Sequence, residues 1–336
     1  MRPRLVIVVA ATLCAVVLGF GLLAGGRSAS GAARTKSVTL LLQWAPQAQF
    51  AGYYMALEHG FYEAHGLDVT IVPGGPAIDP IANLASGKAD FVTSFLTGAI
   101  TSAAQGVPLV DVAQVVNRSS LMIVARRSAI KHRDQLDGER VSLWGASFRS
   151  AYLGYFSTAR IKPVIVPQYY SVNLFLRGGV AACAAMEYNE YHTILQAGVD
   201  PSELTTFSMR DADFGFPEDG IYTLAATARR QPDVCRELAA ASLEGWDYAR
   251  QHPDEAVDSV MAHAAEAHVP TNRVHQRWML DHILTAIFPG PHDTWHVGVL
   301  ARADYERTTA IMIGEGLIGH VPSYRRFVAP GARSAP

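Results

Sequence analysis

The stretch VTLLLQWAPQAQFAGYYMALEHGFYEAHGLDVTI (residues 38–71) predicts a strand, a helix and a second strand in succession. Val38–Trp44 is a short apolar run typical of a buried strand, and Pro46 suits the start of the helix that follows. The predicted helix carries apolar residues at spacings of three or four, which are Phe50, Tyr53, Tyr54, Leu57 and Phe61. Leu67–Pro73 then alternates between polar and apolar residues, as a half-buried strand does. A unit of this kind indicates an α/β fold with mostly parallel sheets.

The same alternation of strands and helices continues over most of the chain, and the C-terminal part is helical. We therefore predict two α/β lobes. Residues 37–125 form the first part of lobe 1, residues 126–218 form lobe 2 as an insertion, and residues 219–328 complete lobe 1 with the C-terminal helices. Two extended hinge crossings, near residues 121–126 and 220–225, would join the lobes and let them close on a ligand.

The first 33 residues (1–33) predict an export signal. Arg2 and Arg4 precede the uncharged apolar run Leu5–Ala24, and small residues occupy the positions before a cleavage site after Ala33. The apolar run is also long enough for a retained N-terminal membrane anchor. Both interpretations place the body of the protein outside the cytoplasm, in the periplasm or at the cell surface.

Cleavage of the predicted signal would remove three arginines and leave 25 basic against 30 acidic residues, so the formal charge would fall from −2 to −5. A mildly acidic chain without basic runs argues against a nucleic-acid partner. Cys183 and Cys235 would be the remaining thiols, and a disulfide outside the cell is possible although nothing in the sequence brings them together. The Ala- and Arg-rich residues 329–336 predict a disordered tail.

Candidate site residues follow from the predicted topology, because ligands of open α/β sheets bind at the carboxyl ends of parallel strands. The candidates in lobe 1 are Trp44, Gln47, Gln49, Phe50, Tyr53, Ser94, Phe95 and Asn117, and those in lobe 2 are Trp144, Ser147, Glu187, Tyr188 and Asn189.

Three parts of the sequence resemble the periplasmic substrate-binding proteins of ABC transporters: the opening stretch, LASGKADFV, and AAMEYNEYH followed by FPEDGIY. The nearer group binds pyrimidine precursors of thiamine. It is related to the yeast thiamine-pyrimidine synthase and to binding proteins for sulfonates, nitrate and riboflavin. The resemblance covers residues 37–320. It implies a type II periplasmic-binding-protein fold, a ligand in the cleft, delivery to a permease with its ATPase, and no catalysis.

The aromatic candidates suit a flat ring. Trp44 ends a predicted strand beside polar residues, and an aromatic face can stack on a planar heterocycle. The related pyrimidine binders hold their ring between aromatic side chains. Phe50 and Tyr53 fit a ligand contact and a buried helix face equally well.

The polar candidates suit the edge of a nitrogen heterocycle. Gln47 and Gln49 each offer a donor and an acceptor, although both could also lie in solvent at a helix start. Glu187 follows an apolar strand, where it could accept from an exocyclic amine, pair with an arginine or cap a helix. Tyr188 and Asn189 follow Glu187 directly, so we expect them to contact the ligand if Glu187 does.

The sequence contains little that supports an enzymatic function. The 12 histidines are scattered without HExxH spacing or paired cysteines, and no GxSxG motif occurs. The yeast synthase relatives use a lysine and a cysteine-rich segment, whereas this chain has four lysines in all and only Cys183 in the corresponding region. We expect no cofactor, no metal and no enzymatic activity.

The expected ligand is a small planar nitrogen heterocycle, above all a thiamine pyrimidine precursor of the hydroxymethylpyrimidine type. Riboflavin or a sulfonate is the alternative within the same fold. A membrane-anchored ligand sensor is the alternative from another class. We expect a monomer that serves an ABC permease.

Overall fold

The computed structural model describes residues 35–145, 148–288, 290 and 297–329. The predicted export segment, residues 1–33, lies outside the described residues. Within the described part of the chain, ten strands form two five-stranded sheets with helices packed around them. No helix in these ranges is both long enough and apolar enough to cross a membrane. The predicted α/β class is confirmed.

In chain order the strands are β1 (Lys36–Leu41), β2 (Leu67–Val72), β3 (Phe91–Phe95), β4 (Leu109–Gln114), β5 (Leu121–Arg126), β6 (Arg140–Leu143), β7 (Val164–Pro167), β8 (Ala182–Met186), β9 (Leu204–Ser208) and β10 (Asp219–Leu224). The α-helices are α1 (Ala51–Glu58), α2 (Phe61–Ala64), α3 (Pro80–Ala85), α4 (Leu96–Ala104), α5 (Arg149–Ala159), α6 (Asn173–Leu176), α7 (Glu190–Gln196), α8 (Ala225–Arg230), α9 (Pro232–Gln251), α10 (Pro253–Glu266), α11 (Arg273–Ile287), α12 (Arg302–Gly314) and α13 (Tyr324–Phe327).

Both sheets are mixed rather than mostly parallel. The first has the strand order β2-β1-β3-β10-β4 and the second has the order β7-β6-β8-β5-β9. β1 runs parallel to both of its neighbours, and so does β6. β10 and β5 run antiparallel to theirs. Each antiparallel strand is the one that arrives from the other sheet, so no helical crossover within the sheet sets its direction.

The chain passes between the two sheets twice, as predicted, but a few residues earlier than expected. It leaves the first sheet through residues 115–120 and returns through residues 209–218. The segments predicted as crossings, near 121–126 and 220–225, are instead the strands β5 and β10 that follow each passage. A strand and an extended connection can both be apolar runs with the same pattern. The sequence prediction therefore assigned the passages to residues that form strands.

The helix of the opening stretch begins later than Pro46. Residues Ala48–Phe50 form a 3₁₀ turn, and α1 starts only at Ala51. The backbone N–H of Ala48 donates to Oε1 of Gln276 on α11 (2.7 Å), so a contact with a helix more than two hundred residues away holds this loop. The sequence alone carries no sign of that contact.

Part of the predicted disordered tail is ordered. Ala329 is 5% exposed, and its N–H donates to the backbone oxygen of Asp111 in β4 (2.8 Å). The disorder prediction is therefore wrong for Ala329, because a backbone contact with a sheet strand was not visible in its composition. Residues 330–336 lie outside the described residues.

The two thiols that follow the predicted signal are not bridged. Cys183 lies in β8 and Cys235 in α9, and both are free and buried. Burial raises the pKa of the Cys235 thiol to about 11. Each therefore acts as a small apolar side chain.

Helices α1 and α9 pack with their backbones close together, and glycines make this possible. A Cβ atom on Gly245 would overlap the carbonyl oxygen of Gly52, and a Cβ on Gly52 would overlap the ring of Trp246. Gly314 at the end of α12 has open space where a Cβ would lie. The α1–α9 crossing therefore requires glycine, whereas position 314 has room for a larger residue.

We expect Gly245→Ala to lower the free energy of unfolding by roughly 1–3 kcal/mol, because overpacking forces two helix backbones apart. Gly314→Ala makes the same chemical change in open space and should leave stability unchanged or slightly raised. Urea unfolding followed by circular dichroism measures both. Equal stability of the two variants would contradict the close approach of α1 and α9.

Candidate functional site

Two pairs of aromatic side chains meet across the cleft between the two sheets. Trp44, in the loop after β1, lies 4.9 Å from Tyr170, in the loop after β7, measured between ring centroids. Phe95, at the end of β3, makes an edge-to-face contact with Phe148, just before α5, at 4.6 Å. The hydroxyl of Tyr170 also donates to the backbone oxygen of Pro76 on the opposite side (3.1 Å). The cleft is therefore bordered by rings from both sheets.

A small pocket, with room for about one water molecule, lies beside the Phe95–Phe148 contact. Its lining is apolar except for one threonine and one carboxyl, and it consists of Phe95, Thr97, Leu121, Phe148, Ala151, Phe216, Pro217 and Glu218. Phe95 is the sequence-predicted candidate among them. The lining combines residues from both sheets and from the 209–218 passage.

Three other candidates hydrogen-bond or pack within their own part of the fold. Ser94 is buried and donates to the backbone oxygen of Phe95 (3.4 Å). Asn117 donates from Nδ2 to the backbone oxygen of Gln114 (3.4 Å). Trp144 is partly buried and lies 5.7 Å from the ring of Phe148. Ser147, also predicted as a contact, lies outside the described residues.

The two candidate glutamines form a relay that ends at a buried carboxylate. Nε2 of Gln47 donates to Oε1 of Gln49 (2.6 Å), and Nε2 of Gln49 donates to Oδ2 of Asp219 (2.6 Å). Gln49 is 4% exposed and Asp219 is 3% exposed, whereas Gln47 is only partly buried. The sequence predicted both glutamines as ligand contacts, but the relay gives Gln49 an internal role.

Three aromatic candidates lie in the core. Phe50 and Tyr53 are 0% and 1% exposed, and Tyr53 packs edge-to-face on Trp246 of α9 at 5.8 Å. Tyr188 is also buried. These three rings pack in the core, and their contact with a ligand remains a prediction. Spacings of three and four mark one face of a helix, and that face packs on α9 instead of the cleft.

Glu187 directly follows β8, the central strand of the second sheet, and lies beside α11. Its side chain is 36% exposed, with Oε1 4.0 Å from Nε2 of His282, and its backbone oxygen accepts from Nε1 of Trp278 (3.0 Å). Asn189 donates from Nδ2 to Oε1 of Glu190 (3.0 Å). Glu187 is outside the lining of the pocket described above, and its contact with a ligand remains a prediction.

Glu218 is a residue that the sequence predictions missed. Glu218 is 2% exposed, and its carboxyl group accepts from the N–H of Ser120 (2.6 Å), the hydroxyl of Ser119 (3.2 Å) and the hydroxyl of Ser120 (3.2 Å). These bonds tie the 209–218 passage to the 115–120 passage. The sequence did contain one indication of this role, the acidic pair in FPEDGIY at the start of a strand. A carboxyl buried beside an apolar strand needs hydrogen-bond partners.

Burial raises the pKa of several carboxyl groups near the passages. The pKa of Glu218 rises to about 8, that of Glu190 to about 7 and that of Asp219 to about 6, in each case because the charged form is desolvated. Among the described residues, however, no group of three His, Cys, Asp or Glu side chains is arranged to hold a metal ion.

Comparison with known proteins identifies a family. A family model described as NMT1/THI5 like matches residues 47–256. The formylaminopyrimidine-binding protein of Halalkalibacterium halodurans is 27% identical over 251 residues, covering 70% of this chain and 73% of the relative. The riboflavin-binding protein RibY of Chloroflexus aurantiacus is 22% identical over 241 residues, covering 69% and 68%.

Solved structures share the fold. The periplasmic aliphatic sulphonate-binding protein SsuA of Escherichia coli superposes with a TM-score of 0.64 at 15% identity, covering 88% of this chain and 98% of SsuA. The ligand-binding component of an ABC-type import system from Staphylococcus aureus gives a TM-score of 0.65 at 13% identity, covering 89% and 99%. The periplasmic-binding-protein fold expected from the sequence resemblance is confirmed.

The raised pKa of Glu218 predicts a pH-dependent stability. Between about pH 4.5 and 8 the folded state keeps a proton that the unfolded chain has released, so the free energy of unfolding should fall as pH rises through this window. One group contributes at most about 1.4 kcal/mol per pH unit. Glu218→Gln keeps an acceptor for Ser120 but cannot titrate, so the free energy of unfolding should fall less steeply with pH in this variant. The difference should be clearest between pH 7 and 8, above the raised pKa values of Glu190 and Asp219.

Urea unfolding at a series of pH values tests this expectation, with Glu139→Gln as the matched control at an exposed position. The control should follow the wild-type pH profile. A Glu218→Gln profile parallel to the wild type would show that Glu218 titrates as an ordinary carboxyl.

Proposed function

This chain belongs to the NMT1/THI5-like family, and we propose that it is an extracytoplasmic solute-binding protein of an ABC importer. It binds a small molecule in the cleft and delivers it to a membrane permease with its ATPase. Relatives named as binding proteins, and two sheets joined by paired passages, support binding without catalysis. It acts as a monomer without a cofactor, either released by cleavage of its export signal or held by an N-terminal anchor.

The proposed ligand is a small planar nitrogen heterocycle, above all a pyrimidine precursor of thiamine. The observation that carries this proposal is the lining of the cleft, where rings from both sheets face each other beside a buried carboxyl. Aromatic faces favour a flat ring, and carbonyl or carboxyl oxygens favour its N–H groups. The relative named as formylaminopyrimidine-binding supports the same class.

Riboflavin is the second candidate, because a relative is named for it and the flavin ring is also planar. A sulfonate fits less well, although proteins of the same fold are named for sulfonates. The pocket residues described here include no Lys or Arg that could pair with an anion.

A thermal-shift screen against thiamine, its pyrimidine precursors, riboflavin and taurine tests the proposal. A ligand that binds the folded state alone must raise the melting temperature. We expect the largest rise with an aminopyrimidine precursor. A rise with taurine alone would favour a sulfonate carrier, and no rise with any of the four would overturn the proposed ligand class.

Within this site we propose that Trp44 stacks on the ligand ring and that Glu187 is its polar counterpart from the other lobe. Trp44→Ala should weaken binding of all planar ligands by roughly 1–3 kcal/mol, as loss of a buried aromatic contact does. Glu187→Gln should weaken mainly the ligands with an exocyclic amine, by about 1–3 kcal/mol, because it exchanges a charged acceptor for a donor. Calorimetric titration of each variant gives these differences.

Tyr169→Ala is the matched aromatic control, since Tyr169 is 74% exposed and adjacent in sequence to the ring that faces Trp44. It should bind like the wild type. If Trp44→Ala also binds like the wild type while remaining folded, then Trp44 is a packing residue.

A further inference from the structure

The relay from Gln47 through Gln49 to Asp219 has a direction that its chemistry fixes. A carboxylate can only accept hydrogen bonds, so Gln49 must turn its NH₂ group towards Asp219. The carbonyl oxygen of Gln49 then points to Gln47 and must receive the NH₂ group of that residue. The carbonyl oxygen of Gln47 is left as the free end of the relay.

The charge on Asp219 maintains this direction at neutral pH. Burial raises its pKa only to about 6, with the bond from Gln49 opposing the rise, so the carboxylate form predominates above neutrality. Gln49 is almost fully buried and has no access to water as an alternative partner. Reversal of the relay would leave two oxygen acceptors facing each other, which is costly for buried groups.

The backbone around the relay is held in place. The N–H of Ala48 donates to Gln276, whose own Nε2 is bonded to Oγ1 of Thr271 (2.8 Å). The N–H of Gln43 donates to Oγ1 of Thr93 in β3 (2.8 Å). The loop that carries Gln47 is thereby anchored on both sides.

Gln47 lies at the edge of the cleft. It follows Trp44 by three residues, and Trp44 contacts Tyr170 from the other side. Its loop runs along the end of β3, where Phe95 lines the pocket. Gln47 is only partly buried, whereas Gln49 and Asp219 are almost fully buried, so Gln47 is the relay member most exposed to solvent.

We propose that the side-chain oxygen of Gln47 accepts an N–H from the exocyclic amine of the ligand, and that Gln49 and Asp219 are positioning residues that fix this oxygen as an acceptor. The inference rests on the proposed function and adds a second selective contact. An exocyclic amine has two N–H groups, so Gln47 and Glu187 can each accept one.

The test compares two probes in calorimetric titrations: an aminopyrimidine precursor of thiamine, and the same pyrimidine with a carbonyl oxygen in place of the amine. Wild type should prefer the amine. Gln47→Ala and Gln49→Met should weaken amine binding about three- to tenfold, the range of one neutral hydrogen bond, and barely change binding of the oxygen analogue. Gln105→Met, at an exposed position, is the control for the Gln-to-Met change and should match the wild type.

The ratio of the two affinities separates a positioning role from a structural one, because a distorted cleft would weaken both probes alike. Equal losses for both probes, or no loss for the amine, would overturn the relay inference while leaving the proposed function intact. Failure of the wild type to bind either probe would overturn the proposed pyrimidine ligand together with the relay inference. Gln47→Ala changes a partly exposed side chain, so it tests the inference even if Gln49→Met does not fold.

Discussion

The buried carboxyl of Glu218 holds the two passages between the sheets together. Removing a carboxyl from water is costly unless hydrogen bonds replace the hydration, and here one backbone N–H and two serine hydroxyls do so. Backbone bonds reinforce the contact, since the N–H of Glu218 donates to Val116 (2.8 Å) and the N–H of Val116 donates to Asp219 (2.9 Å). The passages therefore lie side by side as a short paired segment.

This pairing brings a buried amide and two buried acidic residues close together. Gln114, which is fully buried, donates from Nε2 to the backbone oxygens of Val116 (3.1 Å), Glu218 (3.1 Å) and Asp219 (2.9 Å), so one amide bridges both passages. Asp219 follows Glu218 directly and receives the relay from the cleft edge. Two short hydrogen bonds therefore link Gln47 to the residue that directly follows the returning passage.

The sequence predicts best what depends on local pattern. The strand–helix–strand order of residues 38–71 is set by periodicity, and Gln47 and Phe95 were predicted as ligand contacts from their positions near the carboxyl ends of two strands of one sheet. The sequence left Phe50 and Tyr53 open between a ligand contact and a buried helix face, because the same spacing serves both, and their packing depends on the position of α9. Glu218 was missed because its partners come from a segment almost one hundred residues earlier.

The relation between fold and ligand follows from these contacts. Proteins named for sulfonates share the two-sheet architecture, so the architecture alone does not select a ligand. Selection depends on the side chains that border the cleft, and in this chain those described are aromatic rings, an amide relay and a buried carboxyl. Such a set offers acceptors to N–H groups, and the pocket lining contributes no Lys or Arg to an anion. Because burial raises the pKa of Glu218 to about 8, the carboxyl that ties the passages together presents an uncharged acid to the pocket at neutral pH.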